Sequence, residues 1–117
     1  MDLREAVKEN HQAAEKTRWS QMMISGDMRI EQYGAMLYNL LPIYTELERT
    51  GLITKPEVMR AKLVQADLDA LGGTQHGLTL STVYYTRYLE GLDDDARWAH
   101  IYAVSYTHLT LPTIYSV

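Results

Sequence analysis

Hydrophobic and polar positions over the first hundred or so residues recur with the three-to-four-residue step of amphipathic helices. Asp2 is a candidate N-cap for a helix over Leu3–Lys16, with Leu3, Ala6, Val7, Ala13 and Ala14 available for packing. A short apolar stretch, Met22–Ile24, closes at Ser25-Gly26. Asp27 then heads a long helix, Met28 to about Thr50, whose apolar positions Ile30, Tyr33, Leu37, Leu40, Tyr44 and Leu47 step by three or four. Pro42 lies inside it and predicts a kink, and Gly51 is a C-terminal stop. Thr54 and Pro56 open the next helix, which runs to Leu71 through Val58, Ala61, Val64 and Leu68 and ends at Gly72-Gly73. Gly72–Gly77 reads as a loop and Leu80–Leu92 as a helix. Asp93–Asp95 supplies the acidic first turn of one more helix, bearing Arg97, Trp98, His100, Ile101 and Tyr102. No repeat, heptad or low-complexity tract interrupts the pattern, which specifies an all-α bundle in one domain.

The residues after Ala103 break that pattern. Every Lys, Arg, Asp and Glu lies within Met1–Ala103, and VSYTHLTLPTIYSV (104–117) carries none. By alternation alone this segment reads as a strand interrupted by Pro112. A second explanation fits it better. One frame of a widely used transposon sequencing adapter, GTC TCT TAT ACA CAT CTG ACG CTG CCG ACG, translates without a mismatch into Val104–Thr113. A variable index followed by GTG TAG accounts for the rest, ending at Val117. The expectation is a natural segment over 1–103, cut short, and a non-native adapter-derived tail over 104–117 that is set aside in reasoning about the fold.

Composition narrows the classes of function. A chain of 117 residues with formal net charge -4 is a poor general nucleic-acid binder. Absent cysteine excludes disulfides, thiolate metal sites and cysteine nucleophiles. No apolar run is long enough for a membrane span, and no secretory signal is visible, which leaves the expectation of a soluble, cytoplasmic protein. Phe is missing, so Tyr, Leu, Met and Trp fill the interior.

The most informative chemistry lies on the first helix. Arg4, Lys8, His11 and Glu15 fall close to one helical stripe, which presents two cations, an imidazole and a carboxylate. His11 can bind a metal through one ring nitrogen, with Glu15 influencing the other side of the ring. Arg4 and Lys8 can pair with carboxylates of a bound cofactor. The plain alternative is a solvated helix face with i,i+4 pairing. Taken alone, His100 reads as a partly buried, hydrogen-bonded histidine and Tyr102 as a packing residue, while His76 sits in a Gly-flanked, solvated loop. Met22-Met23 and Tyr84-Tyr85 read as core or boundary residues. Asp93–Asp95 lacks the spaced ligands and Gly of a calcium loop and reads as a cap. No Gly-rich phosphate loop, GxSxG or HExxH occurs.

Leu3-Arg4-Glu5-Ala6 with His11-Gln12-Ala13-Ala14-Glu15 resembles the proximal helix of heme oxygenases. YGAMLYNLLPIYTELE (33–48) is similar to that family's second long helix, RAKLVQADLDAL (60–71) to its basic-Leu-Asp-Leu stretch, and Ala99-His100-Ile101-Tyr102 to the opening of its distal helix. The order and spacing agree over 3–103, with short loops like those of bacterial or phage members. The resemblance implies a truncated heme-oxygenase-like helical bundle. It implies heme as both substrate and cofactor, cleaved with dioxygen and external electrons to biliverdin, carbon monoxide and ferrous iron, with ferredoxin a common reductant. It makes His11 the proximal iron ligand and Glu15 its neighbour. Arg4 and Lys8 then approach the heme propionates, Tyr102 lies at the heme edge, and His100 is structural.

One departure matters. After Ala-His-x-Tyr the family continues through Arg to Gly-Asp-Leu-x-Gly-Gly, whose glycines allow close approach to heme and whose Asp organises water above it. Here Ala103 is followed by VSYTHL, so the resemblance implies an enzyme family but a chain without turnover. The rival reading is a non-catalytic helical heme-binding or protein-interaction module. A thiaminase-like hydrolase lacks the cysteine nucleophile it would need.

Overall fold

A computed structural model of the chain describes residues 2–72 and 76–106, apart from the side chains of Leu3, Arg4 and Tyr106. All regular structure in those residues is helical. One unit, 1–30, holds α1 (Leu3–Glu15) and α2 (Arg18–Ser25). The second, from Glu31 on, is built from α3 (Ile30–Arg49), α4 (Ala61–Ala70), α5 (Leu80–Glu90) and α6 (Asp94–Ile101).

In the first unit Asp2 caps α1 by accepting the Glu5 N–H at 2.8 Å. The corner between the helices is closed by side chains on exposed backbone groups. Thr17 Oγ1 donates to the Ala14 carbonyl at 2.9 Å and accepts the Ser20 N–H at 3.3 Å, ending one helix and starting the other. Ser20 Oγ and Gln21 Nε2 donate to the Ala14 and Glu15 carbonyls, each at 2.9 Å, so the last turn of α1 is not left with bare acceptors. α2 stops at Gly26, whose φ of 78° suits glycine. No residue of α2 is buried, and Val7, Trp19, Met23 and Ile24 keep exposed apolar surface.

The second unit contains the core. Leu47, Ile53, Val58, Leu89 and Ile101 form one buried cluster, and Leu37, Tyr44 and Val64 a second. Val104 packs against both. Two polar clamps fix the connections. Glu48 Oε2 accepts the Arg60 and Ala61 N–H groups at 2.8 and 3.1 Å, so the last turn of α3 caps α4. Asn39 donates to the Gly77 carbonyl at 3.2 Å and accepts the Thr79 N–H at 2.9 Å, holding the entry to α5 on α3. Inside, Glu46 joins α3 to α6. Its carboxylate takes Arg97 Nη1 at 3.1 Å and, from the solvent side, Arg49 Nη2 at 2.6 Å and Nε at 2.9 Å. Arg97 also donates to the Leu92 carbonyl at 3.1 Å.

The structure departs from the sequence reading in four places. Met22–Ile24 is the last part of a full helix, because Thr17 supplies an N-cap that the end of α1 conceals. Asp27 does not begin α3; it accepts a hydrogen bond from Ser25 Oγ at 3.1 Å, and regular α3 starts at Ile30. The helix expected from Pro56 to Leu71 is a 3-10 turn, Pro56–Val58, then extended backbone at Met59, then α4. Glu48 can reach the N-terminus of α4 because of that break. Finally, Val104 and Ser105 are not strand: Tyr102–Tyr106 is a π-helical turn continuing α6. The remainder of the proposed tail lies outside the described residues.

That turn holds a local defect. Ser105 is 1% exposed, and its Oγ finds no hydrogen-bond partner among the described residues. An unpaired buried hydroxyl costs its desolvation. Ser105→Ala is therefore expected to stabilise the chain by about 1 kcal/mol in urea unfolding, whereas Ser105→Val would overfill the same space and destabilise it.

Candidate functional site

The first candidate is the stripe on α1. His11 and Glu15 are four residues apart, one turn of helix, and His11 Nδ1 lies 3.0 Å from Glu15 Oε1. The pair is half open to solvent, with 46% and 42% of the two side chains accessible. With Nδ1 engaged by the carboxylate, Nε2 is the ring nitrogen left with a lone pair for a metal or a hydrogen-bond donor, and the carboxylate fixes the ring's orientation. Lys8, one turn before His11 on the same face, is exposed. Arg4 continues the stripe in sequence, but its side chain lies outside the described residues. Val7 places an exposed apolar side chain beside this polar row.

The second candidate belongs to α5 and α6. His100 is half-buried; its Nδ1 lies 2.7 Å from the Tyr85 hydroxyl. Its ring packs against Tyr85 and Tyr88, with both centroid separations 5.5 Å. Burial, with a smaller push from Tyr88, raises the Tyr85 phenol above its ordinary pKa of 10.0, so the hydroxyl keeps its proton, and the tautomer of His100 decides which of the two donates. The sequence reading of Tyr85 as a core or boundary residue missed this bond. Tyr85 and His100 sit on different helices, and no local spacing announces them. Tyr102, one residue beyond α6, is 51% exposed rather than packed away.

His76 differs from the solvated loop histidine expected. It is half-buried, its ring lies 6.0 Å from that of Tyr38, and a Cβ on Gly34 would come within 2.7 Å of its Nε2. The bare helix surface at Gly34 gives the imidazole its place. His108 lies outside the described residues. Among the described residues no three His, Cys, Asp or Glu side chains cluster as metal ligands. No helix there is long and apolar enough to cross a membrane.

An all-α chain with one imidazole–carboxylate pair on its first helix defines the class. The heme oxygenase family model matches residues 1–109, and the chain belongs to the heme oxygenase family, whose members are enzymes that bind heme. The match takes in α1 through α6 and so carries both candidate sites. No curated protein and no solved structure matches the chain.

Proposed function

We propose that the chain binds heme, the substrate of its family, through Nε2 of His11. The observation that carries this reading is the His11–Glu15 pair at 3.0 Å, which occupies Nδ1 and leaves the second ring nitrogen for iron. The residues fit such a group. One oriented imidazole serves the metal, the exposed Lys8 with Arg4 suits the propionates, and exposed apolar side chains on α1 and α2 suit a flat hydrophobic ring. Bound heme supplies the iron at which the family's oxidative ring cleavage to biliverdin takes place, using dioxygen and electrons from an external donor such as ferredoxin. Glu15 holds the imidazole in one orientation, Lys8 and Arg4 neutralise the carboxylates, and Tyr102 keeps the heme-edge role that the resemblance implies for it. Residues 104–117 are proposed to be adapter-derived.

Titrating hemin into the chain and into His11→Ala tests the reading; a Soret change that is identical in the two overturns it. Turnover is a separate matter. The residues after Ala103 contain no glycine and no carboxylate side chain, so nothing there matches the family's Gly-Asp-Leu-x-Gly-Gly. The chain with hemin, ferredoxin and a reductase is expected to give no biliverdin absorbance; clear production would refute this. An interaction module is the second reading, favoured by Leu80, Tyr84 and Tyr88, an exposed apolar row at four-residue steps on α5.

A further inference from the structure

We infer that Tyr85 is a positioning residue: by donating its hydroxyl hydrogen to Nδ1 of His100 it locks the end of α6 onto α5 and so sets the bearing of Tyr102. The functional part of this inference rests on the reading of Tyr102 as a heme-edge residue. The geometry comes first. The 2.7 Å bond spans two helices, and both partners are half-buried, so water competes poorly for it. Tyr85 is itself anchored, packing against the cluster that contains Leu89 and Ile101.

His100 is therefore held from one side by the bond and by the two tyrosine rings. The next residue, Ile101, is fully buried in that same cluster. Two adjacent residues fixed in different directions leave the helix end little freedom to rotate or slide. Tyr102 follows at once, and its backbone N–H is tied back to the Trp98 and Ala99 carbonyls. The exposed Tyr102 side chain thus projects directly after two held side chains, His100 and Ile101.

The tautomer follows as well. A Tyr85 donor requires Nδ1 of His100 to accept, which places the imidazole proton on Nε2. Loss of the hydroxyl frees that choice and removes one of the two restraints on the helix end.

The test compares the full chain with Tyr85→Phe, which keeps the ring and its packing. Without heme, ¹⁵N spectra should show His100 with Nδ1 unprotonated in the wild type and a mixed population in Tyr85→Phe. Amide exchange at Tyr102 should accelerate about three- to tenfold in the variant, the span expected for one net hydrogen bond, with Leu47 and Val64 unchanged. Equal acceleration at all three sites would make Tyr85 a general stabiliser and overturn the inference, as would an unchanged tautomer. His100→Asn, which keeps an acceptor near the Nδ1 position, should keep exchange at Tyr102 slow when Tyr85 is present and should not slow it in Tyr85→Phe.

With hemin, Tyr85→Phe should weaken binding by a similar factor in the wild-type background and leave Tyr102→Phe unaffected. Equal losses in both backgrounds would refute the positioning role. If no Soret change depends on His11, the heme reading fails by itself, and the exchange and tautomer data still decide the clamp.

Discussion

Glu46→Ala is expected to cost the second unit about 3 kcal/mol, a large share of the total stability of a domain this size, read as a lower urea midpoint. Glu46 and Arg97 are 7% and 5% exposed and come from α3 and α6. Among the described residues, removing the carboxylate leaves the Arg97 guanidinium buried with only backbone carbonyls as acceptors, and its Nε already has no partner there. The loss measures that stranded charge rather than the worth of the pair. Accordingly Glu46→Met combined with Arg97→Met, which removes both charges and keeps the volume, should recover most of it. Failure of the double variant to recover would mean that packing, not charge, dominates.

The pH dependence has a definite sign. The Arg49 hydrogen bonds, followed by those of Arg97 against the opposing effect of burial, lower the Glu46 pKa from its ordinary 4.5. A lowered folded-state pKa gives stability that is fully present above 4.5 and is lost as the pH falls through the depressed value. Wild type should therefore lose more stability than Glu46→Gln on going from pH 5 to pH 2.

The same pair marks where the sequence stops being legible. Asp2, Asp93, Gly51 and the buried positions Leu37, Tyr44 and Leu47 are readable because caps, stops and helical periodicity act over a few residues. His11 and Glu15 are readable for the same reason, being one helical turn apart. Glu46 and Arg97 are separated by 51 positions, and nothing near either names the other. Glu48 on the start of α4 and Asn39 on the entry to α5 are likewise side-chain clamps made only once the helices have packed. Ile30 shows the converse limit: its periodicity matches the core positions of α3, yet at the helix start it is 64% exposed. The roles proposed for His11, Lys8 and Tyr102 rest on resemblance, since spacing alone describes a solvated face equally well.

His11→Ala is expected to have the largest effect on ligand binding: loss of the Soret shift that hemin gives with the wild-type chain. His11 is the one imidazole in residues 1–30, and the His100 ring is half-buried against the rings of Tyr85 and Tyr88. His76→Ala should leave the response in place. The side chain removed is small and half exposed, so the apolar surfaces of α1 and α2 survive and nonspecific hemin adsorption persists as a broad, unshifted band. Imidazole added from solution should restore the shifted spectrum in His11→Ala, because it resupplies the nitrogen without the helix.

Glu15→Ala separates ligation from orientation. The shift should remain and the affinity fall about tenfold, the lower end of the effect of losing a carboxylate behind a metal-bound imidazole, since water reaches this one. A Glu15→Ala chain as weak as His11→Ala would instead mean that the carboxylate sustains α1 itself, and circular dichroism of the heme-free variant would then show reduced helix content.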